Sequence, residues 1–491
     1  MGASFQRGRE EEIEMAKVFL INPSMDIPSG FGEYRKLMEP MPCLGLAYLA
    51  SSCRQAGHDV LVLDNFVENK PSAEVVEMAR AWGAQVAGIS MLTPTAHSTE
   101  ALGRFIREKL SSVKVVFGNL HASIFAEELV ERGSCDAVMH GEGEIRFPKL
   151  IDVFGADGDL STIQGITYKD TNGVVSTQMC EPISDLDSLP YPAWEIFPWR
   201  AYTFLPFVTV AKPCLSIMGT RGCPFRCKFC ALGYMGNRVR KRSPESIADE
   251  VEWLVTKFGI RHVGFVDPIF PLDKKHAIAT CRAIRERNIQ ADWWWTSETR
   301  VDVVDEEMCR EMKLARCKRI LYGIESGVNE LLSSVGKKYT TDDVRRGVAA
   351  ARAAGLEISA FFMLGLPGET PEMTKQTIKF ALSLDIDFAK FAITIPYPGS
   401  ELYDQLVKDG RIDLHDWGKF TTFNPNPESL PYVPEGMTAS QLLSLHRWAN
   451  IKFYFRPRII FRHLFVIRSV RLKALFNGAM LALRQLFKGE K

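Results

Sequence analysis

The sequence has no apolar run of about 18 residues, the length at which a segment reads as a membrane span. It opens on a charged stretch, GREEEIEMA, where a secreted protein carries an apolar leader. Its cysteines are odd in number, eleven in 491 residues, so a secreted disulfide scaffold is not expected and a reducing cytoplasm is. The formal net charge is only +1, with 24% charged and 46% hydrophobic residues. That balance predicts a soluble globular chain and argues against a globally basic nucleic-acid binder. There is no solenoid repeat and no low-complexity tract, and the length suggests two or three domains.

What the chain does have is alternation between short apolar runs and amphipathic segments. KVFLINP reads as a buried strand, and LGLAYLASSCRQAGHDVLVLDNF as helix, turn and second strand. The pattern repeats through VVEMARAWGAQVAGIS, STEALGRFIREKLSSVKVVFGN and IFAEELVERGSCDAVMHGEGE. It predicts an α/β fold whose residues 16–155 form a doubly wound parallel sheet. Residues 156–208, with a hairpin signal at Asn172-Gly173 and a proline-rich run, read as a linker.

A second alternating block fills residues 209–405: CLSIMGT, HVGFVDPIF, DWWWTSETR, RILYGIESG, LEISAFFMLGLPGE and FAKFAITIPYPGS. Six such units predict a partial (β/α)6 barrel with its chemistry at the carboxyl ends of the strands. Residues 406–491 read as a helical, basic C-terminal region. From Arg447 onward it carries eleven Lys and Arg against one acid, Glu490.

The first unit of the barrel leads into RGCPFRCKFC, which places Cys223, Cys227 and Cys230 on one short loop. Thiolates at this spacing can converge on one metal centre, but a closed structural zinc site needs four ligands. Cys214 falls inside the predicted strand, and no later Cys-x-x-Cys or His pair completes a zinc set. Three ligands suit an iron–sulfur cluster with one iron left open to a chelating ligand.

Cys-x-x-x-Cys-x-aromatic-Cys directly after a first strand resembles the signature of the radical S-adenosylmethionine (SAM) superfamily, here Cys223, Cys227, Phe229 and Cys230. The resemblance implies a 4Fe–4S cluster on the three cysteines, SAM bound to the open iron, and one-electron cleavage to methionine and a 5′-deoxyadenosyl radical. It also implies SAM contacts at the other strand ends. These are Asp267 after the second strand, where the family's Gly-Gly-Glu is absent, Glu298 and Arg300 after the third, and Glu325 and Ser326 after the fourth. In the fifth, Gly365 and Pro367 of LGLPGE resemble the family's motif, where glycine lets the backbone approach the adenine.

No Gly-x-Gly-x-x-Gly follows the first strand of the amino-terminal block, so NAD is not expected there. The block resembles instead the cobalamin-binding domain fused to many radical SAM enzymes. Ser90 and Leu92 match its Ser-x-Leu loop, Gly118, Asn119 and His121 stand where it has Gly-Gly-x-His, and Gly141 and Glu142 match the end of its last strand. The Asp-x-His-x-x-Gly loop that gives cobalt a histidine is absent, which implies cobalamin without a protein histidine below the metal.

The layout is similar to that of hopanoid methylases and of the anaerobic magnesium-protoporphyrin ester cyclase. It implies methyl transfer to an unactivated carbon of a hydrophobic or natural-product-like small molecule. Alternatives are radical cyclisation or rearrangement, and a corrinoid-binding sensor or carrier with a structural cluster. The methylthiolating tRNA enzymes need a second cysteine triad, which Cys43, Cys53 and Cys135 do not supply by spacing. The superfamily implies a flavodoxin or ferredoxin as electron donor and anaerobic chemistry. Arginines interleaved with Phe, Ile and Leu over residues 447–491 suit either packing on the barrel or peripheral contact with the inner membrane face. No nucleic-acid partner is expected.

Overall fold

The computed structural model describes residues 15–25, 39–412, 416–421 and 426–467. The first sheet is built on β1 (Lys17–Asn22), β2 (Asp59–Asp64), β3 (Val86–Ser90), β4 (Lys114–Gly118) and β5 (Ala137–Met139), all parallel, in the order β2-β1-β3-β4-β5. Helices cover both faces, which is why the strands read as continuous apolar runs. On β1, Val18 and Leu20 enter the core on one face and Phe19 and Ile21 the core on the other. The chain reverses its winding at β1, so a crevice opens at the carboxyl ends of β1 and β3.

The hairpin expected in the linker does more than connect. Its arms β6 (Ile166–Asp170) and β7 (Gly173–Ser176) add antiparallel to β5, with Ala137 opposite Tyr168, and extend the sheet to seven strands. A three-residue edge strand is thereby covered.

The second sheet starts at β8 (Cys214–Ile217), and a short antiparallel hairpin, β9 (Thr220–Arg221) with β10 (Arg240–Lys241), carries the cysteine loop between its arms. Five further parallel strands follow: β11 (His262–Phe265), β12 (Trp294–Thr299), β13 (Cys317–Glu325), β14 (Glu357–Leu364) and β15 (Phe388–Ile393). They pair in sequence order, β8 and β15 do not meet, and the barrel is open as the sequence predicts.

Two devices close this open barrel elsewhere. At its amino-terminal mouth the linker forms a plug. The Phe207 carbonyl accepts from Ser359 Oγ at 2.6 Å and from Arg319 Nη1 at 2.9 Å, the Phe207 ring meets Phe361 edge-on, and Phe204 fills the space that only a glycine at 264 leaves. Along the free edge of β15, side chains from the C-terminal region replace a neighbouring strand. Tyr454 donates to Ala389 O at 2.8 Å, His446 to Phe391 O and His463 to Asp387 O, each at 2.9 Å. Beyond that edge Phe455, Ile460, Phe461, Leu464, Phe465 and Val466 are all exposed. The tail beyond residue 467, which the sequence reads as basic and amphipathic, lies outside the described residues. Among the described residues no helix is long and apolar enough to cross a membrane.

Arg319 is fully buried, pairs with Glu357 at 2.6 Å and holds the plug. Arg319→Ala empties a fully buried site, releases the Phe207 carbonyl and leaves Glu357 with Lys318 alone, and a loss of about 2–4 kcal/mol is expected in urea unfolding. A variant within 1 kcal/mol or so of the parent would show that the plug is held by packing alone.

Candidate active site

Between β9 and β10 the chain makes a tight loop. Gly222, at φ +88°, lies so close to the Arg238 carbonyl that a Cβ would overlap it. Within the loop Cys230 N–H donates to Cys227 O at 2.9 Å. Cys223, Cys227 and Cys230 are free thiols, each half-buried. Burial pushes the Cys227 and Cys230 thiols up, and the Lys337 charge pulls both back. Among the described residues no three His, Cys, Asp or Glu are gathered tightly enough for a single metal ion. Cys230 senses the charges of Cys223 and Cys227 across the loop, and this donor set of three thiols fits a polynuclear iron–sulfur cluster rather than a closed zinc site.

The loop is held on two sides. Lys228 N–H donates to Val335 O at 3.1 Å, and Lys228 O accepts from Leu402 N–H at 2.8 Å at the start of the helix Glu401–Lys408. Phe229, expected to touch a cofactor, packs instead among Leu331, Val335 and Leu366 and against the cluster of Leu402, Leu406 and Tyr432. An aromatic here anchors the loop because apolar side chains surround it.

The strand ends sort into two kinds. Asp267 is buried and turned toward the chain: its carboxylate accepts from Gly219 N–H, Thr220 N–H and Thr220 Oγ. It pins the entrance to the cysteine hairpin rather than offering its oxygens to SAM. Burial still pushes its carboxyl up to about 6 against those hydrogen bonds. Ser326 is withdrawn as well, fully buried with its hydroxyl shared between Thr377 Oγ1 and Val328 N–H. The side of Gly365 that a side chain would occupy meets Leu442 at 2.9 Å and Pro434, so its bareness admits the C-terminal helix Ala439–Tyr454. Pro367 follows it in the turn that Glu369 closes, accepting from Gly365 and Leu366 N–H.

Glu298 and Arg300 face the lumen. Arg300 lies over the Phe225 ring at 3.8 Å and pairs with Asp302 at 2.8 Å. Among the described residues nothing hydrogen-bonds or pairs with the Glu298 side chain, which is exposed to the lumen yet walled in by the barrel. That enclosure, with the Glu325 charge nearby, pushes it up to about 7 against the pull of Lys337 and Lys390. Lys390 comes from β15, stands 5.3 Å from the Phe207 ring and is held down by burial. Glu325, at φ +64° beside a bulge in β13, is paired with Lys337 at 2.9 Å. Lys337 and Lys390 lie outside every strand-end motif, and their spacing in the sequence gave no signal.

At the carboxyl edge of the first sheet, Gly118 and Gly141 leave open space where a Cβ would meet nothing nearer than 4.0 and 3.7 Å, and Leu92 is exposed. Asn119 takes φ +81°, ψ 177°, a region that glycine ordinarily fills and that costs about 1–3 kcal/mol for other residues. Its side chain ties the cradle together, accepting from Leu120 N–H at 2.7 Å and donating to Ser90 Oγ at 3.1 Å. This bare, strained edge fits a large planar cofactor. Two expected contacts do not face it. His121 is buried between Phe125 and Trp417, 3.2 Å from Thr93 Oγ1, and burial holds its imidazole down to about 3. Glu142 is consumed by arginines of the cysteine hairpin.

That second engagement joins the two sheets. Arg240 grips Glu142 with two nitrogens at 2.7 and 2.8 Å, and Arg221 meets Glu144 at 2.5 Å and Glu142 at 3.2 Å. Burial pushes the Glu142 carboxyl up, but Arg240 and Arg221 hold it below the usual range. Because Arg221 and Arg240 are paired across β9 and β10, the clamp fixes the base of the cysteine loop against the loop that follows β5.

Between about pH 4.5 and 7 the folded chain holds a proton on Glu298 that the unfolded chain has released. Stability from this group is therefore greatest below that window, falls as pH rises through it, and levels off above. Urea unfolding across the window is expected to lose part of that slope in Glu298→Gln. An unchanged slope would mean that the carboxyl sits in open water.

Comparison with known proteins agrees with this two-part arrangement. Residues 35–151 match the B12 binding domain and residues 217–381 the Radical SAM superfamily. The uncharacterized methyltransferase PH0819 of Pyrococcus horikoshii is 31% identical over 95% of this chain and 99% of its own length. The anaerobic magnesium-protoporphyrin IX monomethyl ester cyclase of Rubrivivax gelatinosus is 26% identical over 89% of this chain and 78% of its own. The hopanoid C-3 methylase of Methylococcus capsulatus is 26% identical, over 78% and 71%. Among solved structures, the radical SAM methyltransferase TsrM from Kitasatospora setae shares the fold with a TM-score of 0.69 at 19% identity, covering 87% of this chain and 88% of that one. The chain belongs to the radical SAM superfamily, in the branch that carries a B12-binding domain, and is an enzyme whose cofactors are a 4Fe–4S cluster, SAM and cobalamin.

Proposed function

We propose that this enzyme transfers a methyl group to an unactivated carbon of a hydrophobic small molecule held in the barrel lumen. The observation that carries the reading is the arginine–glutamate clamp, which turns the bare edge of the first sheet and the thiol loop of the second toward one space. Cys223, Cys227 and Cys230 would hold the cluster, while Ser90, Leu92, Gly118, Asn119 and Gly141 would cradle cobalamin. When bound, the cluster with SAM supplies hydrogen abstraction and cobalamin supplies the methyl group.

The chain's own residues position and seal. Asp267 and the clamp fix both ends of the hairpin that carries the thiols. The plug at Phe207 excludes water from below, and Val266, Phe361 and Met363 give the lumen apolar walls around Glu298 and Lys390. A cyclase reading is the alternative, favoured by relatives of that name aligned over most of the chain. A flavodoxin or ferredoxin is the electron donor class that suits a low-potential cluster on these half-buried thiols in an oxygen-poor cytoplasm. We divide the chain at residues 155, 208 and 405, with the linker hairpin belonging structurally to the first sheet.

Cys227→Ala is expected to abolish SAM cleavage and cluster iron while cobalamin binding persists, because the two cradles lie on different sheets. Iron and cobalt quantified on anaerobically reconstituted protein should give about four and one per chain in the parent. Continued formation of 5′-deoxyadenosine by the variant would overturn the assignment.

The exposed Phe461 and Phe465, in a C-terminal region whose sequence carries eleven Lys and Arg against one acid from Arg447 onward, support contact with an anionic membrane face, which suits a lipid-like substrate. Sedimentation with phosphatidylglycerol vesicles should exceed that with phosphatidylcholine and fall in a Phe461→Ser, Phe465→Ser variant. Equal sedimentation with both lipids would reject membrane contact.

A further inference from the structure

We propose that Lys337 is an electrostatic positioning residue whose fixed charge, set against the cysteine loop, stabilises the reduced form of the cluster. The inference rests on the reading that Cys223, Cys227 and Cys230 hold that cluster.

Lys337 belongs to a three-residue stretch that runs along the loop. Val335 O accepts from Lys228 N–H at 3.1 Å. Gly336, at φ +81°, lies so near that a Cβ there would stand 2.8 Å from Arg226 O and 3.7 Å from Cys227 Cα. Lys337 comes next. Its side chain is 6% exposed, and its Nζ lies 5.8 Å from the Phe229 ring centre, Phe229 being the residue between Lys228 and Cys230. The ammonium is fixed by Glu325 at 2.9 Å and Gly323 O at 3.3 Å, and it sits 5.6 Å from the Tyr339 ring. A lysine so enclosed, with an acid and a carbonyl orienting it, is a fixed charge and not a solvated one.

Lys337 Nζ approaches the loop at the Phe229 ring, and Glu325 at the end of β13 partly neutralises it. Reduction adds one electron to the cluster, delivered by a low-potential one-electron donor that is itself oxidised. No bond forms or breaks and no proton moves. A cluster held on these thiols would place its added negative charge near the Lys337 ammonium, whose side chain is withdrawn from water, so the reduced state is the one the ammonium favours. Glu325 opposes it and sets the size of the effect.

The test is a potentiometric titration of the full chain, reconstituted with iron and sulfide without SAM, with the reduced cluster read by electron paramagnetic resonance. Lys337→Met is expected to lower the ratio of reduced to oxidised cluster about tenfold at fixed potential, equivalent to about 59 mV for one electron. Lys337→Arg should keep the parent ratio, and Glu325→Gln should move it the other way. A structural role alone predicts no such opposition of sign. Shifts in the same direction, or an unmoved potential with full cluster content, would overturn the proposal. If Lys337→Met takes up no cluster, Glu325→Gln decides: a rise in the reduced fraction supports the proposal and a fall overturns it. A parent chain that assembles no cluster would remove the cluster reading and this proposal together.

Discussion

Two arginines facing two carboxylates at the root of the cysteine loop are the contact on which the rest of this molecule's geometry depends. Arg221 and Arg240 sit side by side on a hairpin only two residues long in each arm, too short to define its own position. Glu142 and Glu144 come from the loop after β5, so the hairpin inherits its place from the other sheet. All four side chains are largely buried, and a buried charge stripped of its partner costs about 3–5 kcal/mol. The bidentate grip of Arg240 adds direction to that energy, since a planar guanidinium fixes the angle as well as the distance. A glutamate that family resemblance places against a corrinoid is here the hinge pin between the domains.

The two sheets were legible in the sequence because each is parallel and nearly sequential, so local periodicity and strand order carry almost all the information. The hairpin at Asn172-Gly173 was recognised, but its pairing with β5 was not, since nothing local says which edge a hairpin will join. The cysteines were legible because a cluster demands thiols at fixed spacing. Polar residues at strand ends were not sorted correctly, for a physical reason. Glu298 and Ser326 are both polar residues at the ends of neighbouring strands, yet one is exposed to the lumen and the other is tied to Thr377 behind it. Arg240 and Glu142 lie 98 residues apart, and Arg221 and Glu144 77, so no motif window holds either pair.

The C-terminal region acts as a substitute strand. An open barrel leaves the backbone of β15 unpaired along one side, an invitation to aggregation. His446, Tyr454 and His463 answer three of those carbonyls with side-chain donors, and Phe391 and Phe453 pack beneath them. The same segment meets Gly365, so the helix that covers the edge also shapes the wall of the lumen. Gly365, read from sequence as a place for the adenine, thus also serves assembly, and the space it frames is what remains.

The plug of Phe204 and Phe207 has a kinetic meaning. Among the described residues it closes the amino-terminal end of the barrel, so a ligand reaches the lumen from the carboxyl ends of the strands. Molecules that occupy such a lumen together are nested: the one that enters last lies nearest the mouth and leaves first. The order of loading then dictates the order of unloading, and no ligand seated deep in the lumen can turn over while another stands in front of it.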